Sequence, residues 1–190
     1  GIRIGTVFGI PIRLDATFLL ILPLFAYLIG SDVETLTTEL LNGALGAGID
    51  PAALTGGLTP YALGTVAAVG LFACVLLHEF GHSLVAMRYG YEIESITLWL
   101  LGGVARFVEM PEDWKIELQV AIAGPIVSIA LGIGAFAAFS VVPGSQPEIA
   151  FLLGYLALMN IALAVFNMLP GFPMDGGRVL RALLARTRPY

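Results

Sequence analysis

His78, Glu79 and His82 lie within LLHEFGHSL, residues 76 to 84, and place two imidazoles and a carboxylate in five consecutive positions. On an α-helix, positions i and i+4 share a face, so both imidazoles can address one ion. Glu79 lies about 100° round such a helix, beside the ion without having to bind it. The arrangement suits a general base acting on a zinc-activated water, whose pKa the metal lowers toward ~7 before attack on a carbonyl. The competing reading is a pair of helical histidines that serve only as polar contacts within a bundle. An ionisable group at membrane depth costs about 2.5–3.5 kcal/mol on insertion scales, which weighs against a Glu79 without a function.

Catalytic zinc takes three protein ligands and keeps one position open. His78 and His82 are the only histidines, so the third ligand has to be a carboxylate or Cys74. Cys74 precedes His78 by four, but three ligands along two turns of one straight helix span ~12 Å, too far for bonds near 2 Å to one ion. Cys74 therefore reads as a small apolar residue. Asp175, in NMLPGFPMDGGR, follows prolines and glycines that let irregular backbone reach into a polar cavity. The same residue could instead N-cap the helix that follows, and spacing alone leaves both readings open.

The surroundings of these residues are those of a membrane protein. The 190-residue chain is 58% hydrophobic and 12% charged, against roughly 25% charged in a soluble domain, and its mean hydropathy is +0.91. Four apolar stretches, at about 16–29, 61–89, 120–142 and 149–169, predict a polytopic transmembrane helix bundle, a membrane all-α fold forming one domain over 1–190. Pro23 should kink the first span. The second, at roughly 29 residues or ~43 Å, has to tilt or protrude. Residues 31–60 read as an extramembrane connection. Residues 2–14 and 91–110 predict small membrane-surface β-hairpins, the second around Gly102-Gly103. The N-terminus lacks the order of a cleavable signal peptide, so the first span is expected to be retained.

Charge placement orients the bundle. Eight of the nine basic residues fall on the N-terminus, the 90–115 segment and the C-terminal tail, the ninth, Arg88, ends the second span beside that segment, and none lies on the two connections on the other side. The positive-inside rule then puts both termini and the second hairpin in the cytoplasm, with the histidines toward that side. With net charge −5 and no basic cluster outside the short tail after residue 177, nothing suggests nucleic acid. No internal repeat supports a transporter of inverted halves. One cysteine closes no intramolecular disulfide.

HEFGH followed by FNMLPGFPMDGGR, together with GIPIRLDATF, LGGVARF and AIAGPIVS, resembles the site-two protease family of intramembrane zinc metalloproteases, in the expected order over most of the chain. The resemblance implies one zinc held by His78, His82 and Asp175, with Glu79 as general base. It also implies that Asn167 binds the substrate backbone or oxyanion through its amide. Asn160, one heptad earlier, is a candidate for an ordinary interhelical hydrogen bond instead.

The implied activity is regulated intramembrane proteolysis of a transmembrane protein substrate in the lipid bilayer. A substrate helix must first be unwound there, and in this family the segment matching residues 98–107 would offer a strand edge to its freed peptide groups. Asp15 stands where such relatives often have histidine, leaving the role of that position open. The chain stops after DGGRVLRALLARTRPY, where relatives often continue, so a truncated catalytic core is expected. The alternatives are a non-hydrolytic metal-binding membrane transporter or sensor, and a catalytically dead scaffold that binds transmembrane segments.

Overall fold

The fold was analysed in a computed structural model, which describes residues 1–169 and 175–186. The first hairpin is present as β1 (Ile2–Val7) and β2 (Ile10–Leu14). Its turn places Phe8 and Gly9 at φ 52° and 77°, the left-handed pair that a two-residue hairpin requires. Phe8 is costly in that region, and its ring packs edge-on against Phe80, with centroids 5.8 Å apart.

Helix α1 (Ala16–Ser31) starts at Asp15, whose carboxylate accepts from the Thr17 N–H and hydroxyl. Those two bonds hold the Asp15 carboxyl below the usual carboxylate range. The Asp15 N–H also donates to the Leu98 carbonyl, and Leu100 N–H donates to Thr17 Oγ1. Asp15 is thus a cap that fastens the start of α1 to the second hairpin. The role left open by the sequence is structural here.

Pro23 lies inside α1, but the sharp bend comes later, at Asp32. There α1 meets α2 (Val33–Thr35), which runs on as a wider π-helical stretch, Leu36–Ala44, and the two parts differ in direction by 59°. The 31–60 connection is also more embedded than its composition suggests. Val33, Leu41 and Leu54 are buried in one core with Ile29, Ala67, Phe151 and Tyr155. Burying these side chains stabilises a Gly- and Pro-rich segment that has little helix propensity of its own.

Three longer helices follow: α3 (Thr59–Arg88), α4 (Trp114–Ser140) and α5 (Pro147–Asn167). Each is long and apolar enough to cross a bilayer, and the bent pair Ala16–Ser31 and Val33–Ala44 reaches the same measure jointly. Their ends follow local chemistry. Proline sits in the first turn of α3 and α5, Asp113 caps α4, and Gly90 at φ 86° stops α3. Helices α1 and α3 touch backbone to backbone: a Cβ on Gly64 would lie 2.6 Å from Gly30 N and 2.9 Å from Gly30 Cα. Small residues are what permit so close an approach of two helices.

The second hairpin, β3 (Ile93–Trp99) and β4 (Gly102–Phe107), turns at Leu100-Leu101 rather than at the glycines. Gly102 and Gly103 pair instead with Trp99 and Leu98. The two hairpins form one sheet in the order β1-β2-β3-β4. Parallel pairing of Ile12–Leu14 with Ile96–Leu98 joins them. The sheet packs Ile10, Ile12, Ile96 and Ala105 against Phe80 of α3, so it rests on the helix that carries the histidines. A final helix, α6 (Asp175–Ala185), packs on α4. The expected break at Pro170 and Pro173 lies outside the described residues.

Candidate active site

His78 and His82 lie one turn apart on α3, 2% and 1% exposed, and both rings turn inward toward α4. Their Nε2 atoms are 3.2 Å apart. Asp175, 97 residues on from His78, places Oδ2 2.8 Å from His78 Nε2 and Oδ1 3.0 Å from His82 Nε2. The carboxylate is the first residue of α6, so its helix position and its contact with both imidazoles coexist. Spacing alone left these two readings of Asp175 open.

The other ring nitrogens are held from outside. His78 Nδ1 is 2.7 Å from Ser128 Oγ, and His82 Nδ1 is 2.6 Å from the Val120 carbonyl oxygen. A carbonyl only accepts, so His82 carries its proton on Nδ1 and turns the Nε2 lone pair inward. Between these contacts, a Cβ on Gly124 would lie 2.7 Å from His78 Nε2 and would overlap the His82 ring. Val120, Gly124 and Ser128 are spaced i, i+4, i+8 on one face of α4, and that face gives the two imidazoles an acceptor, a gap and a hydroxyl.

The donor set fits zinc. Ligands at ~2.0–2.1 Å in tetrahedral order stand about 3.4 Å from one another, and the nearest inward atoms of the three side chains here stand 2.8–3.2 Å apart, pair by pair. The space that side chains would otherwise fill is left by Gly124. Glu79 stays beside them, since one ligand atom from each of His78, Glu79 and His82 falls within 4.8 Å of the others. It is set from the far side by the sheet, because a Cβ on Gly103 would meet Glu79 Cγ at 2.7 Å. The glycine of β4 is what lets the strand lie against that side chain.

Cys74 is not part of this group. It lies one turn before His78, partly buried, and Asn160 Nδ2 approaches its sulfur at 3.3 Å while also donating to the Leu156 carbonyl. The interhelical contact expected of Asn160 is therefore present. Asn167, the last residue of α5, is half-buried and donates Nδ2 to the Leu163 carbonyl at 2.8 Å. Among the described residues that is its hydrogen bond, and its second amide N–H stays free of it.

Ser128, Gly124 and Gly103 escaped the reading of the sequence as site residues. The only signal for the first two was their spacing, a Gly and a Ser four apart on one face of an apolar helix, and α4 is rich in small residues throughout.

Comparison with known proteins gives the family. Residues 66–148 and 144–190 match the pattern of peptidase family M50. A protein of Synechocystis sp. is 40% identical over 96% of this chain and 44% of its own length. A zinc metalloprotease of Methanocaldococcus jannaschii is 36% identical over 100% of this chain and 47% of its own. The chain thus spans about half the length of the curated relatives it matches. The solved site-2 protease from the same archaeon superposes with a TM-score of 0.60 at 34% identity, covering 100% of this chain and 74% of that one. The match runs through the helix of the two histidines and on past Asp175, and by it the chain belongs to peptidase family M50, the site-two proteases.

Proposed function

We propose that the chain is the catalytic core of a zinc-dependent intramembrane endopeptidase that hydrolyses peptide bonds within or near transmembrane segments of membrane proteins. The observation that carries this reading is the Asp175 carboxylate placed against both inward-facing imidazoles from 97 residues away. His78, His82 and Asp175 would hold one zinc. When bound, the zinc supplies Lewis acidity, which makes water a nucleophile near neutral pH and polarises a carbonyl.

The chain's own residues do the rest. Val120 and Ser128 fix both rings so that Nε2 faces inward. Glu79 takes the proton of the attacking water and hands it to the departing amine, with Gly103 of β4 setting the position of its side chain. Asn167 uses the amide N–H not spent on Leu163 to hold the substrate backbone or the oxyanion. In the order β1-β2-β3-β4, β4 is an edge strand of the sheet. It can pair with a substrate segment whose helix has been unwound.

The membrane setting rests on α3, α4 and α5, and on an outer surface that bares Val66, Ile126, Ile133 and Val165 at 54–61% exposure. Such a face is lipid-soluble and suits a multi-pass protein. Because basic residues collect at the termini and in the 90–115 segment, both termini and the site's end of α3 face the cytoplasm.

Metal content and cleavage of a transmembrane peptide, measured together on purified protein, test this reading. Wild type should bind one zinc and cleave, and Glu79→Gln should keep zinc without cleaving. His82→Ala and Asp175→Ala should lose zinc. Full zinc in Asp175→Ala removes it as a ligand, and cleavage by Glu79→Gln at the wild-type rate removes Glu79 as the base.

A further inference from the structure

Asp175 reaches the imidazoles from a helix of only 11 residues, Asp175–Ala185, which the structure seats by one face. Asp175, Arg178, Ala182 and Arg186 recur at i, i+3, i+7 and i+11, the spacing of a single helical stripe. Ala182 is fully buried. The Arg178 guanidinium lies over the Phe107 ring of β4, 5.9 Å from its centroid, and that of Arg186 lies over the Trp114 ring of α4 at 5.8 Å. Beside the stripe, Arg181 Nε stands 3.6 Å from Glu117 Oε1. Glu117 is 4% exposed although charged, and Arg181 is mostly in the open. On the opposite side Leu180, Leu183 and Leu184 are exposed.

The geometry points to Glu117 and Arg181, with Arg178 on Phe107, as positioning residues that hold α6 against α4 so that the Asp175 carboxylate stays on the two histidines; this rests on the proposed role of Asp175 as a zinc ligand. Glu117 lies on the same helix as Val120, Gly124 and Ser128, so α4 sets the imidazoles and the carboxylate from one rigid element. A buried carboxylate is tolerated when a cation stands beside it and is destabilising when that cation is removed. Arginine suits the role, because its planar head can pair with a carboxylate or stack on a ring while its stem packs.

The test is the zinc dissociation constant of the full chain in detergent, read by chelator competition, in wild type, Glu117→Gln, Arg181→Gln, Arg181→Lys and Arg178→Met. Glu117→Gln and Arg181→Gln should each weaken zinc binding about tenfold, in the range for residues that support a ligand from outside. The double variant should be little worse than either, and Arg181→Lys should recover part of the loss. In an Asp175→Ala background, Glu117→Gln should weaken the residual binding of the two imidazoles no further.

Zinc affinity unchanged in Glu117→Gln and Arg178→Met, while Asp175→Ala loses zinc, overturns the positioning role and leaves the ligand role intact. An equal loss on adding Glu117→Gln to Asp175→Ala also overturns it, since the pair would then act on the fold at large. Zinc bound by Asp175→Ala as tightly as by wild type overturns both. Should Glu117→Gln not fold, Arg181→Gln carries the same comparison from the solvent side of the contact.

Discussion

Gly124 stands directly against His78: a single carbon added at its Cα would lie 2.7 Å from His78 Nε2, the atom that faces Asp175. The helix face opposite the histidines is therefore shaped by what it lacks. Gly124→Ala should weaken zinc binding by about ten- to a hundredfold, as loss of support around a ligand does. Overpacking should also cost roughly 1–3 kcal/mol of stability. Zinc titration and thermal unfolding on the same sample separate the two effects, and wild-type zinc affinity would show that the rings move aside freely.

Ser128 acts on the same ring from its other nitrogen, at 2.7 Å. Ser128→Ala removes the partner of Nδ1 and frees the imidazole to rotate or to change tautomer. Zinc affinity should fall about tenfold. Because Ser128 is buried and adds little volume, the unfolding temperature should change much less than for Gly124→Ala.

Gly103 should separate binding from chemistry. Gly103→Ala presses on Glu79 Cγ, at 2.7 Å from the new carbon, and not on the imidazoles. Zinc content should stay at the wild-type level while cleavage falls about ten- to a hundredfold, the effect of misplacing a reacting group by an ångström or so. Zinc loss in this variant would mean that Glu79 binds the metal.

Gly64 tests the scaffold far from the site. Gly64→Ala drives a methyl into Gly30 and the Ala26 carbonyl, so α1 and α3 must separate. A loss of about 1–3 kcal/mol is expected. Residual folded protein should bind zinc normally, because His78 and His82 face α4 rather than α1.

Much of this was open to reading because hydropathy dominates so apolar a chain. The expected 61–89 and 149–169 became Thr59–Arg88 and Pro147–Asn167, shifted by about a turn or less where proline and capping residues set the ends. That His78, His82 and Asp175 belong together was legible from residue chemistry and family resemblance, and the structure brings the three side chains within hydrogen-bond distance. Three features were not. The parallel pairing of Ile12 with Ile96 bridges residues far apart and involves three registered pairs, too short for any periodic signal. Gly102-Gly103 looked like a turn, but those glycines make room for Glu79 and Val75 instead. The acceptor for His82 is the Val120 backbone carbonyl, which every residue type presents alike.

The span of 97 residues between His78 and Asp175 has a consequence for how the protein is made. Synthesis runs from the N-terminus, so both imidazoles, Glu79, Ser128 and the sheet exist before the carboxylate that joins them. Any nascent or clipped chain ending before Asp175 carries the two histidines without the carboxylate that meets both of them. The order of elements along the polypeptide therefore withholds the complete donor set until the fifth helix is finished and the sixth has begun to dock.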